Sequence, residues 1–278
     1  MKRNRATFWP VFSVLLLGLC VPLAAASVMQ KKALASWDIY VRETEKRIDL
    51  ELKGGRGFLR MDLMKPEDTA NVKAQLNSGR VYVERMSTVD AAGHELHGED
   101  GLIHHWYGAI LIPKIKLDSL LQWIQNYDQQ SNYFKEVERS RLLSKNGDTF
   151  HISLRLVRKK VVTVHYNTEH TVVYQNNGPG RASSKSFSTR IAQIEDAGSP
   201  DEKEDSIGND SGYLWRLNSY WRFREQGDGV IVECESVSLS RGIPFGLGWA
   251  IGSYVESIPR ESLENTLTSL RDRKPKGT

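Results

Sequence analysis

Residues 213–240 read YLWRLNSYWRFREQGDGVIVECESVSLS, and this stretch decides the fold. Gly227-Asp228 sits between two runs rich in β-branched and aromatic residues, the pattern of a two-residue hairpin turn. Counting outward from that turn pairs Phe223 with Val232, Arg222 with Glu233, Trp221 with Cys234 and Tyr220 with Glu235. Side chains alternate across a strand. Trp215, Leu217, Trp221 and Phe223 therefore share one face with Val232 and Cys234, while Arg216, Arg222, Glu233 and Glu235 share the other. The pattern predicts an antiparallel sheet with an apolar inner face and a charge-paired outer face turned to solvent.

Working outward, Gly242 to Ile258 is apolar and holds Pro244, Gly246, Gly248 and Gly252, so it reads as a connection that could act as a lid. A helix is expected to start at Pro259, where a first-position proline is harmless, and to bury Leu263, Leu267 and Leu270. Upstream, strands are expected at Leu102–Ile112, Val137–Leu143, Thr149–Arg158, Val161–Tyr174 and Ser184–Glu195. Ile152, Leu154 and Leu156 alternate with Ser153 and Arg155 in the third of these. Leu117, Leu120, Leu121 and Ile124 form one face of a short helix. Asp196–Gly212, where Asp201, Glu202, Glu204, Asp205 and Asp210 stand against Lys203, reads as a solvated, mobile loop. Before residue 100 the signals are weaker: a helix over 36–48 capped by Ser36, a short strand over Phe58–Met64, a brief helix from Pro66, and a strand over Arg80–Val89.

The N-terminus carries Lys2, Arg3 and Arg5, an uncharged apolar run from Phe8 to Leu23, and Ala24-Ala25-Ala26. That is the layout of a secretory signal with cleavage after Ala26, and an uncleaved anchor is the alternative. Leu19 stands before Cys20 where a lipoprotein signal wants a small residue. The formal charge of +4 loses three cations with the signal and becomes +1, which leaves no electrostatic case for nucleic acid. Cys234 then remains as a single thiol, expected to behave as a small buried hydrophobe.

Chemical motifs are sparse. His94, His97, His104 and His105 are dense, and His94 and His97 are spaced for zinc on a helix or tight turn, but no further ligands complete a set; His165 and His170, near a bend in a strand region, are read the same way. Gly246-x-Gly248 lacks the Lys-Ser/Thr of a phosphate loop. Glu233 and Glu235 could pair as glycosidase carboxylates, but the register makes them rungs of the outer ladder. No metal or cofactor is expected. The aromatic set Trp106, Trp215, Trp221, Phe245 and Trp249 suits either an apolar ligand pocket or an ordinary core.

Four segments read together resemble the START-like, or polyketide-cyclase-like, helix-grip superfamily. They are the strand His104 to Pro113, the helix Leu117 to Tyr127, the pair Tyr220-Trp221-Arg222 with Val230 to Ser236, and Ser240 to Trp249 leading into Ile258-Pro259-Arg260-Glu261. The resemblance implies an α+β fold, a bent antiparallel sheet around a long C-terminal helix with an apolar cavity between them. It divides the chain into a signal peptide (1–26), an N-terminal extension packed on the main domain (27–100) and the helix-grip domain (101–278). The expected cavity lining is Trp106, Ile152, Leu154, Leu156, Trp215, Leu217, Trp221, Phe223, Cys234, Phe245, Trp249, Leu263 and Leu267. The expected function is an exported, monomeric, non-enzymatic carrier of a lipid or other hydrophobic small molecule, with transient membrane contact through residues 242–258. A cyclase or dehydratase acting in the same cavity, or an envelope interaction module, are the alternatives. An Arg or His on the Trp221 face would favour the enzyme.

Overall fold

The computed structural model describes residues 23–159, 163–206, 210–242 and 248–273, with the backbone alone at 23–29 and 248–255. Among these residues one antiparallel sheet of nine strands carries the fold: β1 (Tyr82–Arg85), β2 (Gly101–Ile112), β3 (Val137–Asn146), β4 (Thr149–Lys159), β5 (Thr163–Asn176), β6 (Arg181–Glu195), β7 (Lys203–Glu204), β8 (Arg216–Gln226) and β9 (Gly229–Arg241). The order is β1-β2-β9-β8-β6-β5-β4-β3, with β7 paired to β6. Helices cover both faces. α1 (Leu23–Lys53) and α2 (Pro66–Asn77) lie on one side, and α3 (Leu117–Ile124) and α4 (Gly248–Asp272) on the other. Strand order, open sheet and C-terminal helix together make this a helix-grip fold.

The β8–β9 hairpin has the predicted register, Phe223 to Val232, Arg222 to Glu233, Trp221 to Cys234 and Tyr220 to Glu235. A two-residue loop leaves one way to pair the flanking strands, which is why counting from Gly227-Asp228 succeeds. The concave face of the sheet holds Ile110, Ile112, Phe223, Val230, Val232 and Cys234, packed against Leu117, Leu120 and Ile124 of α3 and Leu263, Leu267 and Leu270 of α4. Gly108 sets how closely α4 approaches. A Cβ built there would lie 2.6 Å from Leu267 Cδ1 and 3.1 Å from Leu263 Cδ2.

The convex face differs from expectation. Its charges do not face water: Arg222, Glu233 and Glu235 are buried under the N-terminal helices. α1 is longer than the predicted 36–48 because its buried stripe, Ala33, Trp37, Tyr40, Thr44 and Ile48, recurs every three or four residues along the sheet. Ser36 is inside this helix rather than at its start; its hydroxyl donates to Ala33 O at 3.0 Å and accepts from Glu99 N at 3.0 Å. Phe58–Met64 is not a strand. Asp62 accepts from the backbone N–H groups of Phe58 and Leu59 at 3.1 and 3.0 Å, and a 3-10 turn forms over Arg60–Leu63.

Two further expectations are corrected. α4 begins at Gly248, with Pro259 inside it, so residues 248–258 are the first half of the gripped helix rather than a loop. The acidic segment after β6 is exposed to solvent as expected, but two of its side chains are anchored to the sheet. Arg155, buried in β4, forks onto Glu202 at 2.6 and 2.8 Å, and Glu204 in β7 takes Asn167 Nδ2–H at 2.7 Å and pairs with Arg190. The hydrogen bonds from Arg155 hold the Glu202 carboxyl at about 2.

Candidate functional site

The two faces of the central strands differ in accessibility. On the convex side Asn218, Tyr220, Arg222, Glu233, Glu235 and Val237 are all buried. On the concave side of the same strands Leu217, Ser219, Trp221 and Ser236 are only half-buried, as is Trp106 beside them on β2. In the middle of a sheet with helices on both faces, partial exposure means that the concave layer is incompletely filled there.

The register gives this area its composition. Three successive rows of residues cross the concave face. The first runs Tyr174, Ser184, Trp221, Cys234, Gly108 from β5 to β2. The second runs Val172, Ser186, Ser219, Ser236, Trp106. In the third, His170 pairs with Ser188, whose hydroxyl accepts from Leu217 N at 3.0 Å; Leu217 pairs with Ser238 and Ser238 with His104. Polarity thus rises along the strands, from the apolar core at Val232 and Phe223, through the indole of Trp221, to a band of hydroxyls closed by a histidine at each side. The indole N–H of Trp221 donates to Ser219 Oγ at 2.9 Å, and the ring stacks on Phe223 with centroids 6.2 Å apart.

Burial pushes both histidines down to about 4, with Arg85 adding to the effect at His104, so each is neutral near pH 7. His104 Nε2 lies 3.0 Å from Ser240 Oγ, and His170 Nε2 lies 3.0 Å from Thr168 Oγ1. Two charged pairs stand at the margins of this band. Arg85 of β1 meets Glu256 of α4 at 3.3 Å, and Arg158 of β4 meets Glu261 of α4 at 2.7 Å and also Glu136. These pairs fasten α4 across the sheet from both sides.

The predicted lining separates into groups. Phe223, Cys234, Leu263 and Leu267 belong to the packed core, and Trp106 and Trp221 lean against it from the half-open area. Leu217 lies in that area. Ile152 joins Tyr127, Phe150 and Val172 in a satellite cluster, with Leu154 beside it, and Leu156 is half-buried opposite Tyr166. Trp215 is a correction. It precedes the first residue of β8, where strict alternation does not hold, and packs with Ala33, Trp37 and Leu239 on the convex side. Its indole N–H donates to Asp210 Oδ1 at 3.1 Å. Phe245 lies outside the described residues, and Trp249 is described only as backbone in the first turn of α4. Sequence reasoning weighs His104 and His170 only as metal ligands and misses the hydroxyl band between them. The signal was there, as serines at every second position in Ser184–Ser188 and Ser236–Ser240.

The convex face holds the other dense cluster of ionisable groups. Arg47 donates to Glu235 at 2.5 Å and to Glu51 at 2.7 Å; Arg222 pairs with Glu51 and lies 3.8 Å from Glu235. Tyr40 OH is 3.0 Å from His105 Nδ1, and His105 Nε2 is 3.2 Å from Glu235 Oε2. Burial alone would raise the Glu235 carboxyl, but the bond to His105 and the charge of Arg47 hold it well below the usual range. Glu233 is pushed up by burial, against hydrogen bonds from Tyr107 OH at 2.5 Å and from the N–H groups of Arg60 and Met61 at 2.6 and 3.0 Å. The Tyr-His-Glu chain looks like a proton relay, but His105 and Glu235 are 1% and 3% exposed beneath α1, and no substrate reaches them. This cluster seats the N-terminal helices. Among the described residues no group of three or more metal-binding side chains occurs, and no helix is long and apolar enough to cross a membrane.

No protein-family model matches the chain. No curated protein matches it. Among solved structures it is similar to a STAR-related lipid transfer protein fragment from Xanthomonas axonopodis, at 16% identity over 68% of this chain and 97% of that one, with a TM-score of 0.45. It is also similar to a protein from Thermus thermophilus, at 17% identity over 60% and 94% with a TM-score of 0.42. A third is an aromatase/cyclase from a Streptomyces species, at 10% identity over 62% and 93% with a TM-score of 0.36. These likenesses concern fold. The strand order and the gripped helix of the chain itself make the fold START-like.

Proposed function

We propose that this protein binds a lipid or other hydrophobic small molecule between the concave face of the sheet and the first half of α4, without chemically altering it. One observation carries the reading: Trp221, Leu217, Ser219, Ser236 and Trp106 stay half-buried at the centre of the sheet, whereas their convex neighbours are sealed. An aromatic wall beside a few polar groups is the composition of a small-molecule site. The segment that leads into and begins α4, 243–255, contains no Asp, Glu, Lys, Arg or His. We further propose export through a cleaved leader ending at Ala26, for which N-terminal sequencing of the protein from its own host should read Ser27 first.

The test is native mass spectrometry of the protein from its host, followed by organic extraction. A stoichiometric apolar molecule supports the reading, and Trp221→Ala should then retain less of it. A protein that is empty, and that also fails to bind fluorescent fatty-acid probes, refutes it.

A cyclase- or dehydratase-type enzyme is the second reading, and His104 and His170 favour it. Both share the concave face with Trp221, and a neutral imidazole is the protonation state of a general base. Conversion of the extracted molecule by wild-type protein but not by His170→Gln would decide for the enzyme.

A further inference from the structure

We infer that the hydroxyl band makes the site selective for an uncharged amphiphile, a hydrocarbon body carrying hydroxyl or ester groups, over a fatty-acid carboxylate or a phosphate ester. The inference rests on the binding site proposed above and concerns what its polar end recognises.

The band consists of Ser184, Ser186 and Ser188 on β6, Ser219 on β8, and Ser236, Ser238 and Ser240 on β9, flanked by Thr168 and His170 on β5 and by His104 on β2. Every one of these groups both donates and accepts through a hydroxyl, or through one imidazole tautomer or the other. None is a cation at neutral pH. The charges of Arg85 and Arg158 at the margins are met by Glu256, and by Glu136 and Glu261, with the buried Nε–H of Arg158 left without a partner. A carboxylate or phosphate brought into the band would give up its water without gaining a counter-charge, which is strongly unfavourable in a low-dielectric site. A neutral hydroxyl or ester loses far less water and finds a partner at each row.

A second observation points the same way. Tyr166, 5% exposed, lies on the concave face two residues before Thr168, and its hydroxyl is buried without a hydrogen-bond partner. Gln193, opposite it on β6, has a buried Oε1 that is also unpartnered, while its Nε2–H bonds Asp205 and Ser211. Buried polar atoms are rarely left unpaired. An unpartnered donor and an unpartnered acceptor, on residues paired across β5 and β6, suit a ligand hydroxyl, which can serve either, whereas an anion cannot donate to Gln193.

The experiment compares three probes that share a twelve-carbon chain, monododecanoylglycerol, dodecanoate and dodecyl phosphate. Each is titrated into the delipidated full chain at neutral pH, below its micelle concentration, with tryptophan fluorescence and calorimetry as readouts. The glycerol ester should bind at least about tenfold more tightly than either anion, on the order of one good hydrogen bond plus the avoided charge burial. Ser219→Ala with Ser236→Ala should weaken the ester about tenfold and leave an uncharged apolar dye unaffected, and Tyr166→Phe, which removes one oxygen from a folded core, should narrow the selectivity without changing the thermal midpoint downward. Equal or tighter binding of dodecanoate or dodecyl phosphate overturns the inference and leaves the cavity standing. Selectivity that survives all three substitutions also overturns it, by locating recognition elsewhere. If neither the probes nor the dye bind, the cavity itself is refuted and the inference goes with it.

Discussion

His170 gives a quantitative test of the concave face. It is 4% exposed, its Nε2 lies 3.0 Å from Thr168 Oγ1, and its ladder neighbours are Ile152 and Ser188. No carboxylate offsets the burial, so burial alone lowers it from 6.5 to about 4. The unfolded chain takes up this proton as pH falls below about 6.5, whereas the folded chain refuses it until about 4. Stability is therefore present in full above 6.5 and is lost on acidification, by roughly 3 kcal/mol at the low end of the window and by at most about 1.4 kcal/mol per pH unit within it. His170→Gln keeps a partner for Thr168 and removes the titration. Urea denaturation of both proteins at half-unit intervals from pH 7.5 to 4 should give curves that converge, or cross, as the pH falls. His104 and His105, which are lowered by burial too, and Glu233, which is raised and acts in the opposite direction, remain in both proteins and cancel in the difference. Parallel curves would refute the argument, because they would mean that water or an acid reaches His170 and the concave layer is open at that point.

Three further outcomes follow from the same geometry. Glu235→Gln leaves Arg47 and Arg222 short of a buried counter-charge and should cost about 3–5 kcal/mol in chemical denaturation, while Glu43→Gln on α1, whose partners Arg42 and Lys46 are exposed, should cost almost nothing. Gly108→Ala forces Leu267 and Leu263 to move away from the sheet, and should lower stability by about 1–3 kcal/mol; adding Leu267→Val should recover part of the loss if the clash is local. Arg155→Met releases Glu202 and Glu138, so limited proteolysis should cut the segment 196–206 several-fold faster with the core intact; an unchanged rate would show that Arg155 does not anchor that segment.

The hairpin and the strands of the second half were legible because local chemistry fixes them. Gly227-Asp228 sets one register, and apolar alternation along Thr149–Arg158 sets one face. The charged convex face misled because Arg222, Glu233 and Glu235 are ordinary signs of solvent, and the residues that bury them, Arg47, Glu51 and the backbone of Arg60 and Met61, lie more than 160 positions earlier in the chain. Pro259 misled because its helix-starting preference is real but local; packing of Leu263, Leu267 and Leu270 on the sheet stabilises the helix on both sides of it. Trp215 misled because alternation was extended past the first residue of β8. From the sequence His104 and His170 read only as weak metal candidates, because they lie 66 residues apart, on strands separated by three others in the sheet, and only the strand order brings them to one surface.

That strand order also constrains how the chain can fold. β2 and β9 are neighbours in the sheet, yet the pairs from Ile112 with Val230 to Gly101 with Arg241 join segments more than a hundred residues apart. The main core cannot close until the last strand and α4 have left the ribosome, because Val230, Val232, Cys234, Leu263, Leu267 and Leu270 supply nearly half of its buried residues. Local hairpins, β3 to β6 and β8 with β9, can form early, and closure between β2 and β9 must then meet the loop entropy of the whole intervening chain at once. The rate-limiting step is expected to be this late docking, and the partially assembled sheet that precedes it exposes the edges of β2 and β9 to other chains. A stretch of time in which those edges are unpaired makes aggregation during synthesis, rather than instability of the finished protein, the characteristic failure of this fold.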